Sequence, residues 1–144
     1  MNKDMHNNMR CVRCLSPVAL GTATTGIGKV VDRQGYGGVE FIVSYGTVTS
    51  ATAVITLVVQ EADVTTTGSF TSVADAYLLG TELLASLPAA TRTSGTGKNV
   101  SKRVGYVGNS RYVRAKLSAV GTFAVPVSIT ACLHTPELAP TANP

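Results

Sequence analysis

A chain of 144 residues with 44% hydrophobic side chains is long enough to bury the core of one domain. Only 14% of its residues are charged, against about 25% in an average protein; a surface so poor in charge points to cover by a partner or by further copies of the chain. The net charge of +4 comes from a shortage of acids (8) and not from a basic run, which argues against the clustered Lys/Arg footprint of a nucleic-acid binder and leaves an acidic protein surface as a partner.

Residues 1–10 are polar and without period, and read as an N-terminal arm that orders on a neighbour. They lack the apolar centre of a signal peptide. Cys11 to Leu20 is a short apolar segment interrupted by Ser16-Pro17, and residues 21–28 form a Thr/Gly loop. Lys29 to Arg33 reads as a short strand, followed by turn chemistry in Gly35-Tyr36-Gly37-Gly38. Val39, Phe41, Val43 and Tyr45 then alternate with Glu40, Ile42 and Ser44, which is the period of a strand. Ala53 to Glu61 is apolar at nearly every position, so burial on both faces is expected, with the preceding strand as a hairpin partner or near neighbour. Its apolar run is far short of the roughly 20 residues that span a bilayer.

Phe70–Val73 and Ala76–Leu79 read as further short strands, and Glu82–Leu87 as one helical turn stopped by Pro88. Residues 89–99, with Gly95 and Gly97, read as a surface loop. Val100–Val107 and Arg111–Ser118 are strands joined by Gly108-Asn109-Ser110. In the second of these, Tyr112, Arg114 and Lys116 face one way, and Val113, Ala115 and Leu117 the other. The last strand turns Val125, Val127, Ile129, Ala131 and Leu133 inward, and Pro126 marks an edge or a strand start. Residues 136–144, with Pro136, Pro140 and Pro144, read as an extended tail. About eight short strands with Gly/Thr turns and no helical period predict an all-β fold: an antiparallel, jelly-roll-like sandwich, one domain over residues 11–135.

The motifs of catalysis and metal binding fail on inspection. Cys11-x-x-Cys14 has no second pair to complete a tetrahedral zinc set, although His6, Cys132 and His134 are potential additions. On a strand, Cys11 and Cys14 would point to opposite faces. The three cysteines read as free thiols of a reducing compartment. Gly21-x-x-x-x-Gly26 and Gly97-Lys98-Asn99 each lack part of a phosphate loop. His6 and His134 read as exposed groups without an orienting carboxylate, and Glu61 and Asp63 sit at a strand end. Asn99-Val100-Ser101 is a glycosylation sequon without a secretory signal. The chain reads as non-enzymatic, with no catalytic residue, metal or cofactor.

What remains is a set of Arg, Lys and Tyr side chains at strand mouths. Such a set is a solvated face with apolar stems, a protein interface anchored by Arg and Tyr, or a base-stacking surface. The candidate protein-facing residues are Arg10, Arg13, Arg33, Tyr36, Lys102, Arg103, Tyr106, Arg111, Tyr112, Arg114, Pro136 and Pro140.

Three phrases give these residues a context. They are Asp32-Arg33-Gln34-Gly35-Tyr36 leading into Val39-Glu40-Phe41, Gln60-Glu61-Ala62-Asp63 before a Thr/Gly loop, and Lys102-Arg103-Val104-Gly105-Tyr106-Val107-Gly108 before Arg111-Tyr112-Val113-Arg114. Together they resemble a family of small structural proteins encoded among the head genes of tailed bacteriophages, over roughly Val30 to Leu133. The cysteine-bearing N-terminus and the insert around Glu82 to Gly97 depart from that pattern. The resemblance implies a capsid cement, or decoration, protein made in the bacterial cytoplasm and carried on the outer surface of the virion. It would bind the major capsid protein and copies of itself, as a dimer or trimer, with neither nucleic acid nor membrane as partner. A head–tail connector, tail component or head-fibre base is the alternative virion role, and a glycan- or nucleic-acid-binding module the alternative outside it.

Overall fold

In a computed structural model, the structure describes residues 4–21, 24–48, 50, 52–87, 99–121 and 124–138. The strands are β1 (Met9–Leu20), β2 (Thr25–Ile27), β3 (Val31–Asp32), β4 (Tyr36–Tyr45) and β5 (Val54–Ala62). They continue with β6 (Thr71–Ser72), β7 (Leu78–Leu79), β8 (Val100–Tyr106), β9 (Tyr112–Val120) and β10 (Val125–Pro136). One helical turn, α1 (Glu82–Ala85), lies between β7 and β8.

These strands make two antiparallel sheets. The first has the order β1-β10-β4-β8-β7, and the second β2-β9-β5-β6, with β3 also on β9. The pairings are nested: β1 with β10, β2 with β9, β4 with β8, and β5 with β6. A long hairpin rolled on itself gives this nesting, and the two sheets are closed by the β10–β4 and β9–β5 pairs. The fold is thus an all-β sandwich with jelly-roll connectivity, as the strand periods predict.

The core lies between the sheets. From the first come Val39, Phe41 and Val43 of β4, Val104 and Tyr106 of β8, and Ile129, Ala131 and Leu133 of β10. From the second come Ile55, Leu57 and Val59 of β5, and Val113, Ala115 and Leu117 of β9. The alternation read for the last strand holds from Val125 to Ala131, after which Cys132 is buried along with Leu133.

Several expectations are corrected. β5 is half-buried and not covered on both faces: Thr56 is exposed, and Val54 and Val58 are only partly covered. Its apolar run therefore reflects β-propensity as much as burial. β4 and β5 are not hairpin partners but lie in different sheets, because the chain crosses the sandwich between them. Of the Gly35–Gly38 phrase only Gly35 turns, at φ 83°. Tyr36, Gly37 and Gly38 belong to β4, where a side chain on Gly38 would run into the His134 ring of the neighbouring strand. Pro126 starts a strand, as one of its two readings has it, but β10 is central and not an edge. Residues 9 and 10 of the expected arm belong to β1, paired with His134 and Leu133. Ser16-Pro17 does not end that strand. It sits in a register shift between Leu15 and Val18, and pairing resumes at Val18↔Val127. Most of the loop around Gly95 and Gly97, and the tail from residue 139 on, lie outside the described residues.

Candidate functional site

Four of the strand-mouth residues, Arg33, Tyr36, Tyr106 and Arg111, gather at one end of the sandwich, where the β3–β4, β5–β6 and β8–β9 connections meet. Asp32, the last residue of β3, accepts two bonds from Arg111, Nε at 3.0 Å and Nη2 at 2.7 Å. This forked pairing holds the Asp32 carboxyl below its usual range. Arg33 turns the other way. Its Nε donates to the Ser110 carbonyl at 2.5 Å, its Nη1 to the Tyr36 carbonyl at 3.2 Å, and its guanidinium stands 5.6 Å from the Tyr106 ring centroid. The Tyr106 hydroxyl donates to Glu61 Oε2 and accepts the Ser110 backbone N–H at 3.0 Å. The Arg111 backbone N–H donates to Asp63 Oδ1 at 3.4 Å. Burial, then the bond to Glu61, pushes the Tyr106 hydroxyl up to about 12, so it remains a donor at neutral pH. All three phrases of the sequence therefore close into one hydrogen-bonded knot.

A second cluster fastens the long edge of β5. The segment Thr81–Leu87 runs beside that edge and supplies partners that a neighbouring strand would otherwise provide. Leu87 exchanges backbone bonds with Ile55, N–H to carbonyl at 2.8 and 3.0 Å. Ser86 Oγ accepts from Leu57 N at 2.8 Å, and Glu82 Oε1 from Val59 N at 2.6 Å. Burial raises the Glu82 carboxyl, against the lowering effect of the Val59 N–H. Thr81 caps the short helix, its Oγ1 accepting from Leu84 N at 3.1 Å. From the opposite sheet, Tyr45 donates to the Ala85 carbonyl at 2.8 Å and Lys102 Nζ to the Ser86 carbonyl at 2.6 Å. The helical turn read over Glu82–Leu87 is thus a strap across both sheets, and it blunts an edge that would invite pairing with another chain.

The third region is the outward face of the first sheet. One cross-strand row runs Cys11–Cys132–Glu40–Gly105–Leu79, and the next Arg13–Thr130–Ile42–Arg103. Arg103 is 80% exposed and only 3.7 Å from Glu40. Two exposed leucines lie beside it, Leu79 of β7 and Leu84 of α1, whereas the equally exposed Leu83 lies on the β5 side of the helical turn, with Val54 to Leu57. Glu40, Leu79, Gly80, Leu84 and Arg103 line a shallow groove there.

The structure divides the expected surface residues. Tyr106 is wholly buried and Arg114 is buried, so neither offers a surface to a partner. Arg114 stacks 4.2 Å from the Phe70 ring centroid and donates to Gln60 Oε1 at 3.0 Å. It is covered on the outer side of β9 by the ring of Phe70, the residue before β6. Lys102 points inward, opposite Val43, and serves the strap. Arg33 is engaged within the knot. Tyr36 and Pro136 face each other, half-buried, where β4 meets β10. Arg10, Arg13, Arg103 and Arg111 remain exposed, and Tyr112 is half-covered with Arg111 4.9 Å from its ring centroid. Pro140 lies outside the described residues.

Asp32, Glu61 and Ser110 of the knot, and the leucines of the strap, were not singled out from sequence as surface or site residues. Asp32 had a signal, an acid inside the same phrase as Arg33. Cys11 and Cys14 do point to opposite faces of β1: Cys14 is in the core, while Cys11 meets Cys132 on the outside. Among the described residues no three His, Cys, Asp or Glu side chains cluster as a metal site would require. No helix among them is long and apolar enough to cross a membrane. The class the fold and these surfaces define is a jelly-roll sandwich with its Arg/Tyr signature folded into one end. No protein-family model matches the chain, and no curated protein matches it significantly.

Proposed function

We propose that the protein is a structural component of a tailed-phage virion that binds the outer surface of the head and bridges its capsid subunits. The observation that carries this reading is the knot. Phrases that resemble the phage family, distant in sequence, meet in space as one bonded unit, with Asp32 and Arg111 79 positions apart. A shared phrase that holds a fold together is stronger support for kinship than one scattered over a surface.

The residues left for a partner are then few. Arg103 and Arg13 lie in one cross-strand row, with Leu79 and Leu84 beside Arg103, and Arg beside apolar side chains is the composition of an interface anchor. The partner would be the major capsid protein, with neighbouring copies of this chain alongside. Binding only the assembled shell stabilises it by mass action, and many symmetric copies supply avidity without a tight single site.

The test is co-sedimentation of the purified protein with expanded, emptied heads at physiological salt. Saturable binding at on the order of hundreds of copies per head is expected. Failure to sediment sinks the reading, and a stoichiometry of about six or twelve per head moves the protein to a connector ring.

A further inference from the structure

The outward face of the first sheet holds two sulfurs that the proposed function does not use. Cys11 of β1 and Cys132 of β10 are direct cross-strand partners, both free thiols, with their Sγ atoms 2.9 Å apart. Opposed Cα atoms of an antiparallel pair are about 4.5–5.5 Å apart, within the roughly 4.4–6.8 Å that a disulfide accepts. The sulfurs need to close by only about 1 Å to reach bonding distance. Cys14 is no competitor. It is 2% exposed, on the other face of β1, with its Sγ 3.5 Å from the Lys29 carbonyl.

We propose that Cys11 and Cys132 are a site of reversible covalent modification, an intrachain disulfide that staples the edge strand β1 to the central strand β10. It forms by exchange with a small-molecule or protein disulfide. Cys132 is 5% exposed, and burial, then Cys11 and Glu40, push its thiol up to about 12. The more exposed Cys11 therefore makes the first attack. Its thiolate bonds to one sulfur of the oxidant, the oxidant's S–S bond breaks, and one thiol leaves after taking a proton. Cys132 then loses its proton to solvent and attacks Cys11 Sγ, expelling the second thiol. Two protein thiols are oxidised and one external disulfide is reduced to two thiols. The link joins residues 121 positions apart, so it closes nearly the whole chain into one loop and restrains the unfolded state accordingly.

The inference needs no capsid and is tested on the folded chain alone. The protein is incubated with oxidised glutathione, quenched in acid, and digested without reduction for mass spectrometry. The peptide holding Cys11 should be joined to that holding Cys132, with the intact chain lighter by two hydrogens and Cys14 alkylated only after denaturation. The oxidised form should melt roughly 5 to 15 °C higher, and dithiothreitol should reverse the gain. C11S and C132S should each lose both the link and the gain. A stable glutathione adduct without the link, a link to Cys14, or dimers joined through Cys11 would overturn the site. A link formed without any rise in melting temperature would overturn the stapling role.

Discussion

The knot at one end of the sandwich and the outward face of the first sheet draw on the same residue types and use them in opposite ways. In the knot, Arg33 and Tyr106 spend their donors on Ser110, Tyr36 and Glu61, and Tyr106 has no exposed surface. On the face, Arg103 meets Glu40 at the limit of an ion pair and remains 80% exposed. An Arg/Tyr phrase is therefore not a single kind of signal. Where the strand mouth is crowded by other connections, it builds structure; where the neighbouring row is open, it stays available for a partner.

Substitutions should separate these two uses. Tyr106→Ala removes a buried aromatic ring and the hydroxyl that joins Glu61 to Ser110. A loss of about 3–5 kcal/mol is expected in denaturant unfolding, and a smaller loss would show the knot to be dispensable. Tyr106→Phe keeps the ring and leaves the Ser110 N–H and the Glu61 carboxylate without their partner, for a loss of about 1–3 kcal/mol. Arg33 should respond in the same assay with a smaller loss.

Acid sharpens the comparison. Asp32 binds its proton less readily in the folded chain than at the ordinary value of 3.8. Its ionised form therefore stabilises the fold above that pH, and the contribution disappears as the pH falls through the lower, folded value. A melting profile from neutral to acidic pH should drop less steeply in Asp32→Asn than in the parent; identical slopes would mean that the Arg111 fork is idle. The smallest structural effect belongs to the face. Arg103→Ala should leave the melting temperature within about 2 °C of the parent while weakening co-sedimentation with heads. A fall in stability without a fall in binding would place Arg103 with the knot.

The sequence showed the sheets more clearly than the site. Period-two runs marked β4, β9 and β10 because each has one buried face, and the turn before Tyr36 was legible in Gly35. The two-sheet separation of β4 and β5 was not, since adjacency in sequence is the same for a hairpin and for a crossing between layers. Tyr106 and Arg114 looked like surface anchors because their partners, Glu61, Gln60 and Phe70, all lie more than about 40 positions away in the chain. Alternation assigns a face to a residue, but it cannot say what closes over that face. The strap had a legible helical turn, and its purpose lay in the unpaired edge of β5, which only the sheet order exposes.

The nested pairing has one more consequence. Met9 stands opposite His134, and Tyr36 opposite Pro136, so the first and last strands enter and leave at the same corner. A peptide fused ahead of β1 and another fused behind β10 would emerge side by side. For the same reason a short linker could join the two strands, and a new start could be opened at Gly80 between β7 and α1, where φ is 85° and the glycine is exposed. The rolled hairpin would then be circularly permuted without re-routing a single strand through the core.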